Sequence, residues 1–318
     1  MARCFVTRSI PGPALERLAA EHEVDVWPGR LMPKRSQLLA RAAEADGLLS
    51  MLTDRIDRDL IEACPRLVAI SNYAVGWDNV DIAAASARGI PVGHTPDVLT
   101  ETTADFAFAL MLAAARRVVE ADAHVRRGAW MTWEPGLLLG HDVHGATLGI
   151  VGMGRIGSAV ARRAEGFGMK VIHTGREGGV PLAELCGRSD FVSLHVPLTP
   201  ETRGLIGEAE LRAMRPTAIL VNTARGPVVD PAALGRALRG GWIAGAALDV
   251  TDPEPLPASH PLLEAPGLVV APHVASASHG ARAAMAERAV DNLLSGLRGD
   301  PMPHCVNPKA HGQARDEG

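Results

Sequence analysis

The sequence predicts an α/β protein of two doubly wound parallel-sheet domains with a cleft between them. Short apolar runs rich in β-branched residues alternate with amphipathic stretches along residues 1–99, and the alternation begins again near Thr147. Strands that alternate with helices over short connections form parallel sheets covered by helices. The chain has 318 residues, 47% of them hydrophobic, which is enough for two separate cores.

Both alternating series can be followed strand by strand. In the first series, strands are predicted at 4–7, 23–27, 47–52 and 67–76, with helices at 12–21, 34–45 and 58–64. In the second series, strands are predicted at 147–151, 170–174, 191–196, 218–223, 244–250 and 267–273, with helical patterns between them. The two series therefore predict two domains of similar architecture.

The segment 100–128 joins the two series and is predicted to form one long helix. Thr102 and Asp105 resemble a capping box at its start, and its middle is apolar nearly all round. Such a helix is expected in a domain interface or against another subunit. A last helical pattern at 281–301 is long enough to return to the first domain. We therefore predict a substrate-binding, flavodoxin-like domain at 1–99 plus 288–318 and a dinucleotide-binding domain at 100–287.

Composition narrows the classes of partner. The net charge of −4 provides no electrostatic footprint for nucleic acid or for an anionic membrane. Four cysteines are far apart and form no metal-binding pattern, namely Cys4, Cys64, Cys186 and Cys305. With no secretory signal pattern and no membrane-length apolar run, we expect a cytoplasmic protein with reduced thiols and no metal.

A glycine pattern indicates a dinucleotide site. Gly152, Gly154 and Gly157 form a GxGxxG motif that follows a predicted strand, opens a predicted helix and precedes a second strand, as in Rossmann domains. The first glycine permits the tight turn, the second lets backbone N–H groups approach a pyrophosphate, and the third brings the helix against the strand. The helix N-terminus favours the bound anion.

The second strand of this motif is followed by Thr174, Gly175 and Arg176. NAD-binding domains commonly place an acid there to hold the ribose hydroxyls. With the acid missing and a guanidinium beside the gap, NADP(H) is the expected preference, and NAD(H) remains usable. The alternative is a plain turn with a solvated Arg176, which Glu177 could neutralise.

Ionisable residues follow three later strands of the second series. Arg225, Asp249 and His273 each stand near the end of a predicted strand, and Glu254 lies in a loop bracketed by prolines. The carboxyl ends of strands in a doubly wound sheet face one crevice, so these four side chains can converge. Each of these residues, taken alone, could have a purely structural role. His273, for example, could merely cap its strand.

Seven stretches together resemble the D-isomer-specific 2-hydroxyacid dehydrogenases over essentially the whole chain: NYAVGWDNVD, TTADFAFALML, GIVGMGRIG, HVPLTPETRGLI, NTARGPVVD, ALDVTDPEPLP and APHVASAS. Within that family, YAVG, TGR and GLRGDPMP are most similar to the glyoxylate/hydroxypyruvate reductases. The resemblance implies that Arg225, Glu254 and His273 are catalytic. It also implies that the backbone of the loop Ala74, Val75 and Gly76 holds the substrate carboxylate, and that Asp249 meets the nicotinamide end of the cofactor.

Further cofactor contacts are expected from the same resemblance. They are Arg155, Ile156, His195, Val196, Pro197, Thr202, Thr223, Ala224, Thr103 and Ser276. In the family, the segment around Trp130 and Trp133 is an arm near the dimer partner, although the two side chains could instead be core anchors. A homodimer through the helix that begins near Thr102 is expected.

The implied chemistry suits these residue types. A protonated His273 can supply the proton for the alkoxide that forms when a 2-keto acid is reduced, and Glu254 can hold its other ring nitrogen. Arg225 can bind the substrate carboxylate or carbonyl with two parallel donors. The expected function is therefore NAD(P)H-dependent reduction of a small 2-keto acid, such as glyoxylate or hydroxypyruvate, to the D-2-hydroxy acid.

Three alternatives remain at this stage. Relatives that oxidise formate carry glutamine where Glu254 stands, and those that oxidise phosphite carry lysine where Val75 stands, so the sequence argues against both activities. A dinucleotide-sensing protein similar to the transcriptional corepressors of this family would be a binding protein, and such relatives can retain the catalytic three. Another 2-keto acid could also be the substrate.

Overall fold

The computed structural model describes residues 1–176 and 178–310 and divides the chain into two compact units. Unit 1 comprises Met1–Leu99 and Ala277–Gly318, and unit 2 comprises Thr100–Ser276. The sequence placed the domain boundaries at 99/100 and 287/288. The second boundary of the compact units lies earlier, at 276/277, because the last helix belongs wholly to unit 1.

Residues 1–99, all of them described, form five strands and four helices. These are β1 (Arg3–Val6), α1 (Ala14–Glu21), β2 (Glu23–Val26), α2 (Arg35–Ala42), β3 (Gly47–Ser50), α3 (Arg58–Ala63), β4 (Ala69–Asn72), α4 (Ile82–Ala87) and β5 (Val92–Gly93). The strands are parallel, in the order β2-β1-β3-β4-β5. The sequence reading missed α4 and β5, which have six and two residues, because so short an element shows little periodicity.

The core of unit 1 fills the space between this sheet and its helices. Phe5, Leu48 and Ile70 from neighbouring strands are buried with Leu60 of α3. The carboxylate of Asp57 accepts the N–H of Leu60 at 3.1 Å and caps the start of α3. Such caps supply acceptors for N–H groups that have no partner inside the helix, and so they fix where the helix begins.

Over its described residues, 100–176 and 178–276, unit 2 contains a seven-stranded sheet and six α-helices. These are α5 (Thr100–Ala115), α6 (Val118–Arg126), β6 (Thr147–Val151), α7 (Arg155–Gly166), β7 (Lys170–Gly175), β8 (Gly178–Gly179), α8 (Leu182–Arg188), β9 (Phe191–Leu194), α9 (Glu208–Ala213), β10 (Ile219–Asn222), α10 (Pro231–Arg239), β11 (Gly245–Leu248) and β12 (Leu268–Val270). The order is β12-β11-β10-β9-β6-β7-β8, parallel except where β8 pairs antiparallel with β7. The predicted α/β class with two parallel sheets is confirmed.

The prediction of one long helix at 100–128 is wrong. The helix ends at Ala115, and α6 starts after Arg117, whose φ of 52° lies in the left-handed region. A β-carbon makes that conformation costly inside a helix, so the chain turns there. The predicted capping box of Thr102 and Asp105 is also wrong. The helix α5 begins at Thr100, and the carboxylate of Asp105 instead accepts a hydrogen bond from Nε of Arg163 on α7 at 2.7 Å.

The apolar faces of α5 have a different explanation from the one expected. Phe108 and Met111 are buried in the core of unit 2 beside Leu148 of β6 and Val160 of α7. In contrast, none of the nine residues of α6 is buried. Unpartnered apolar surface therefore lies on α6 rather than on α5.

The last helix, α11 (His279–Arg298), packs within unit 1. The hydroxyl of Ser278 accepts the N–H of Ala281 at 3.2 Å at its start, and Gly299 ends it with a φ of 76°. Such a left-handed glycine is a common helix terminator. Within residues 1–176 and 178–310, no helix has both the length and the apolar character needed to cross a membrane.

Candidate active site

The turn between β6 and α7 has room for side chains at only one of its three glycines. Gly152 has a φ of 98°, and a β-carbon there would lie 2.7 Å from the carbonyl oxygen of His195. A β-carbon at Gly157 would lie 2.1 Å from the carbonyl oxygen of Gly152. Gly154 caps α7 and has no atom within 4 Å of its β-carbon position. The helix N-terminus, with Arg155 exposed and Ile156 half-buried beside it, thus opens onto free space.

The loop after β9 closes over one side of this turn. Nε2 of His195 and Oγ of Ser193 are 2.8 Å apart, and burial lowers the pKa of His195 to about 4, so the imidazole is neutral near pH 7. Val196 Cγ1 would lie 2.9 Å from a β-carbon at Gly152. The hydroxyl of Thr202 donates to the carbonyl of Pro197 at 2.6 Å and therefore folds the loop.

The end of β10 carries a buried hydroxyl without a partner. Oγ1 of Thr223 has no hydrogen-bond partner among the described residues, although a buried polar atom normally has one. Asn222 shapes this turn, since Oδ1 accepts the N–H of Ala224 at 3.0 Å and Nδ2 donates to the carbonyl of Arg225 at 2.9 Å. Asn222 was missed in the sequence, although a polar residue that ends a buried strand could have indicated it.

Asp249 holds the segment that follows β12. The residue is 1% exposed, and its two carboxylate oxygens accept the N–H groups of Val274 at 2.7 Å and Ala275 at 2.8 Å. The N–H of His273 donates to the backbone carbonyl of Asp249 at 2.8 Å. Asp249 thereby binds three consecutive N–H groups, the first of which belongs to His273.

His273 and Glu254 form a hydrogen-bonded pair, with 2.6 Å between Nδ1 of His273 and Oε1 of Glu254. Burial alone would raise the pKa of Glu254, but the hydrogen bond and charge of His273 hold that pKa below its usual value. The N–H of Thr251 and the charge of Arg225 lower it further. Glu254 is therefore a carboxylate at neutral pH, and Arg225 lies close enough for its charge to act on this pair.

The end of β7 is a short hairpin that carries Arg176. Thr174 pairs with Gly179 and Gly175 with Gly178, while Glu177 lies outside the described residues. Arg176 is exposed, and a β-carbon at Gly175 would meet only the backbone nitrogen of Met153, at 3.7 Å.

An acid on the loop after β9 lies near enough to feel the charge of that guanidinium. A hydrogen bond from Thr199 and one from its own backbone lower the pKa of Glu201, and the charge of Arg176 adds to the effect. Glu201 was missed in the sequence because it is distant from Arg176 along the chain.

Two further candidates lie elsewhere in unit 2. Thr103 is on α5 with only 4% of its surface exposed. Ser276 is half-buried and is the last residue of the unit.

In unit 1, the loop after β4 carries the candidate carboxylate-binding backbone. The N–H of Ala74 already donates to the carbonyl of Asn72 at 2.8 Å, so it is engaged within the protein. Among the described residues, the N–H groups of Val75 and Gly76 have no acceptor, and both residues are partly exposed. The candidate donors of the loop are thus Val75 and Gly76 rather than all three residues.

The residues of unit 2 fit a bound dinucleotide. The open space at Gly154 and the closed contacts at Gly152 and Gly157 are the features that a pyrophosphate-bearing ligand requires beside a helix N-terminus. The unpartnered hydroxyl of Thr223 could bond a polar group of such a ligand. The ribose end would lie at the hairpin of Gly175.

Comparison with known proteins identifies the family. The family model described as D-isomer specific 2-hydroxyacid dehydrogenase, NAD binding domain, matches residues 108–275. A glyoxylate reductase of Korarchaeum cryptofilum is 54% identical over 317 residues, which cover 96% of each chain. A solved structure from Thermus thermophilus shares 51% identity with a TM-score of 0.90, over 96% of this chain and 99% of that one.

A second solved structure carries ligands. It is the NADPH-dependent glyoxylate/hydroxypyruvate reductase of Sinorhizobium meliloti in complex with NADP and malonate, with 34% identity, a TM-score of 0.85 and 98% of each chain covered. Identity of this extent over nearly the whole chain, together with the domain match, establishes the relationship. The chain is an oxidoreductase that belongs to the D-isomer-specific 2-hydroxyacid dehydrogenase family.

Proposed function

We propose that this protein reduces glyoxylate or hydroxypyruvate to the corresponding 2-hydroxy acid, with the D configuration where a stereocentre forms, and that it prefers NADPH. The observation that carries the proposal is the His273–Glu254 pair with Arg225 close by. The names of the relatives, glyoxylate reductase and glyoxylate/hydroxypyruvate reductase, support this substrate class.

His273 is the proposed general acid. Because Glu254 is ionised and accepts a hydrogen bond from Nδ1 of His273, the transferable proton of the protonated ring is the one on Nε2. When bound, a reduced nicotinamide would supply the hydride for the carbonyl carbon of the substrate. His273 gives its proton to the oxygen that becomes the hydroxyl, and it accepts a proton from that hydroxyl in the reverse direction.

Arg225 and the loop of unit 1 are the proposed anion binders. The guanidinium of Arg225 can hold a carboxylate or polarise the carbonyl with parallel N–H donors. The unengaged N–H groups of Val75 and Gly76 add further donors of the kind that bind anions. A carboxylate beside a carbonyl presents the oxygens that such donors require.

The remaining cofactor residues keep the roles that the family resemblance implies. Asp249 is proposed to meet the nicotinamide amide, since each of its carboxylate oxygens can accept a further hydrogen bond. The neutral ring of His195 is proposed to pack against the cofactor. NADPH is the proposed preference because Arg176 is exposed beside a position without an acid.

We also propose that the protein is a homodimer and that it lies in the cytoplasm. Val118 and Val119 of α6 are each 53% exposed, and Trp130 and Trp133 are 62% and 79% exposed. Several large apolar side chains left exposed in one stretch of the sequence are typical of a protein interface, and a second copy of the chain is the proposed partner. Free thiols at all four cysteines suit a reducing compartment.

A kinetic panel tests the proposed function. The unmodified protein is assayed with glyoxylate, hydroxypyruvate, pyruvate and 2-oxoglutarate, each with NADPH and with NADH, by the loss of reduced-cofactor absorbance. The highest kcat/KM is expected with glyoxylate or hydroxypyruvate and NADPH. Cofactor binding without turnover of any keto acid would instead favour a dinucleotide-sensing binding protein.

A further inference from the structure

The loop Ala74–Gly76 has all three of its carbonyl groups engaged by donors from unit 1. The carbonyl of Ala74 accepts the N–H of Thr95 at 2.8 Å, and that of Val75 accepts Nδ1 of His94 at 2.9 Å. The carbonyl of Gly76 accepts Nδ2 of Asn72 at 3.0 Å. Because a carbonyl oxygen only accepts hydrogen bonds, Nδ1 of His94 must carry the hydrogen.

This arrangement determines which polar groups of the loop remain for a ligand. With the carbonyls turned into the protein, no backbone oxygen of the loop is free to approach and repel an anion. The N–H groups of Val75 and Gly76 are left unengaged within the described residues. The loop is thus prearranged as a pair of donors, which reduces the ordering that binding would otherwise require.

The amide of Asn72 is itself held in one orientation. It is fully buried, Oδ1 accepts the hydroxyl of Ser50 at 3.1 Å, and Nδ2 lies 3.0 Å from Oδ1 of Asn79. Nδ2 of Asn79 donates to the carbonyls of Met51 at 3.0 Å and Asp54 at 2.9 Å. The ends of β3 and β4 therefore determine the direction in which Asn72 donates.

His94 is held through both its backbone and its ring. Its backbone N–H donates to the carbonyl of His304 at 3.1 Å, and its carbonyl accepts Nδ2 of Asn292 at 2.8 Å. The imidazole stands edge-on to Trp77, with 5.1 Å between the ring centroids and 88° between the planes. These contacts keep Nδ1 directed at the carbonyl of Val75.

We propose that His94 and Asn72 are positioning residues for an anion subsite made of the N–H groups of Val75 and Gly76. The identity of the anion, the carboxylate of a small 2-keto acid, rests on the proposed function, whereas the subsite itself rests on the hydrogen bonds above. Neither side chain touches substrate in this scheme. His94 keeps the carbonyl of Val75, and Asn72 keeps the carbonyl of Gly76, turned away from the anion subsite.

Three substitutions at His94 distinguish the effect of its hydrogen bond to Val75 from the effect of its packing against Trp77. His94→Phe keeps a ring against Trp77 but removes the donor. His94→Asn retains an N–H donor near the position of Nδ1. His94→Gln places its amide near the position of Nε2 instead. Folding of each variant is checked by its circular dichroism spectrum and its affinity for NADPH.

The expected result is a change in KM for the keto acid. His94→Phe and His94→Gln should raise the KM for glyoxylate about three- to tenfold, the range that corresponds to one lost net hydrogen bond. Their kcat and their KM for NADPH should stay within about twofold of the unmodified enzyme. His94→Asn should keep a KM for glyoxylate close to the original value.

A binding measurement distinguishes this inference from the proposed function. Oxalate, a small dicarboxylate that is not turned over, is titrated calorimetrically into each variant in the presence of saturating NADPH. If the unmodified protein reduces no keto acid but His94→Phe still weakens oxalate and His94→Asn does not, the proposed function fails and the subsite stands. Equal oxalate affinity in all variants, or equal losses in His94→Phe and His94→Asn, would overturn the inference.

Discussion

Nδ1 of His273 lies 2.6 Å from Oε1 of Glu254, and His273 takes a left-handed φ of 56°. A residue with a β-carbon rarely adopts that conformation, which costs of order 1–2 kcal/mol. The three N–H groups bound by Asp249 stabilise the segment in which the strained residue lies. Local strain of this kind is typical of sites where the direction of a side chain matters more than stability.

Replacement of His273 by alanine should lower kcat for glyoxylate reduction by about a hundred- to ten-thousandfold. This is the range for loss of a general acid, and NADPH binding should remain, since the glycine turn is untouched. Stopped-flow turnover and fluorescence titration of NADPH measure the two quantities. Turnover within a few-fold of the unmodified enzyme would exclude His273 as the proton donor.

Replacement of Glu254 by glutamine should move the pH dependence of reduction. Reduction needs protonated His273, so kcat/KM falls as pH rises, whereas kcat/KM for oxidation rises. Glu254 stays ionised because its pKa is lowered, and its charge favours the protonated ring. Without that charge, the reductive limb should move to lower pH. An unmoved limb would mean that the pair does not act in catalysis.

Replacement of Asp249 by asparagine should lower the free energy of unfolding by about 1–3 kcal/mol. The new amide NH2 would face a backbone N–H of Val274 or Ala275, and one buried donor would lose its acceptor. Urea unfolding measures the difference. Glu264→Gln, at an exposed carboxylate, is the control and should change stability by less than about 0.5 kcal/mol. An equal effect of the two substitutions would contradict this account of the loop.

Cofactor choice should depend on Arg176 and on position 175. The unmodified enzyme should prefer NADPH over NADH by about ten- to a hundredfold in kcat/KM, because a guanidinium can pair with the 2′-phosphate. Glu201 beside Arg176 opposes this preference. Arg176→Ala should weaken it, and adding Gly175→Asp should reverse it, since a side chain fits at that position. Equal kcat/KM for both cofactors in the unmodified enzyme would show Arg176 to be a solvated turn residue.

The protein should sediment as a dimer at micromolar concentration, at twice the chain mass of 33.4 kDa. Val119→Asp on α6 should shift it to a monomer, because a charge would be placed in the proposed interface. Val68→Asp is the matched control, since Val68 is 49% exposed on unit 1, and it should leave the dimer intact. A species of the single-chain mass for the unmodified protein would refute the assembly and leave the apolar surface of α6 unexplained.

The sequence by itself determined the fold class and the glycine turn. Both rest on local patterns: strand and helix periodicity repeats every few residues, and the glycines at 152 and 157 are required by contacts made within a few positions or with one adjacent loop. Arg225 and His273 near strand ends, and Glu254 in the loop between them, were visible in the sequence, and the family resemblance implied their catalytic role.

Tertiary structure decided what depends on distant parts of the chain. The burial of α5 follows from packing against β6 and α7, and the break at Arg117 is a left-handed backbone conformation; apolar periodicity alone reveals neither. The hydrogen bonds of Asn72 and His94 to the loop at 74–76 depend on side-chain directions set by three different strand ends. Periodicity reports which face of an element is buried, but only the folded chain determines which polar atoms meet there, because hydrogen bonds require distances and angles that spacing in sequence does not specify.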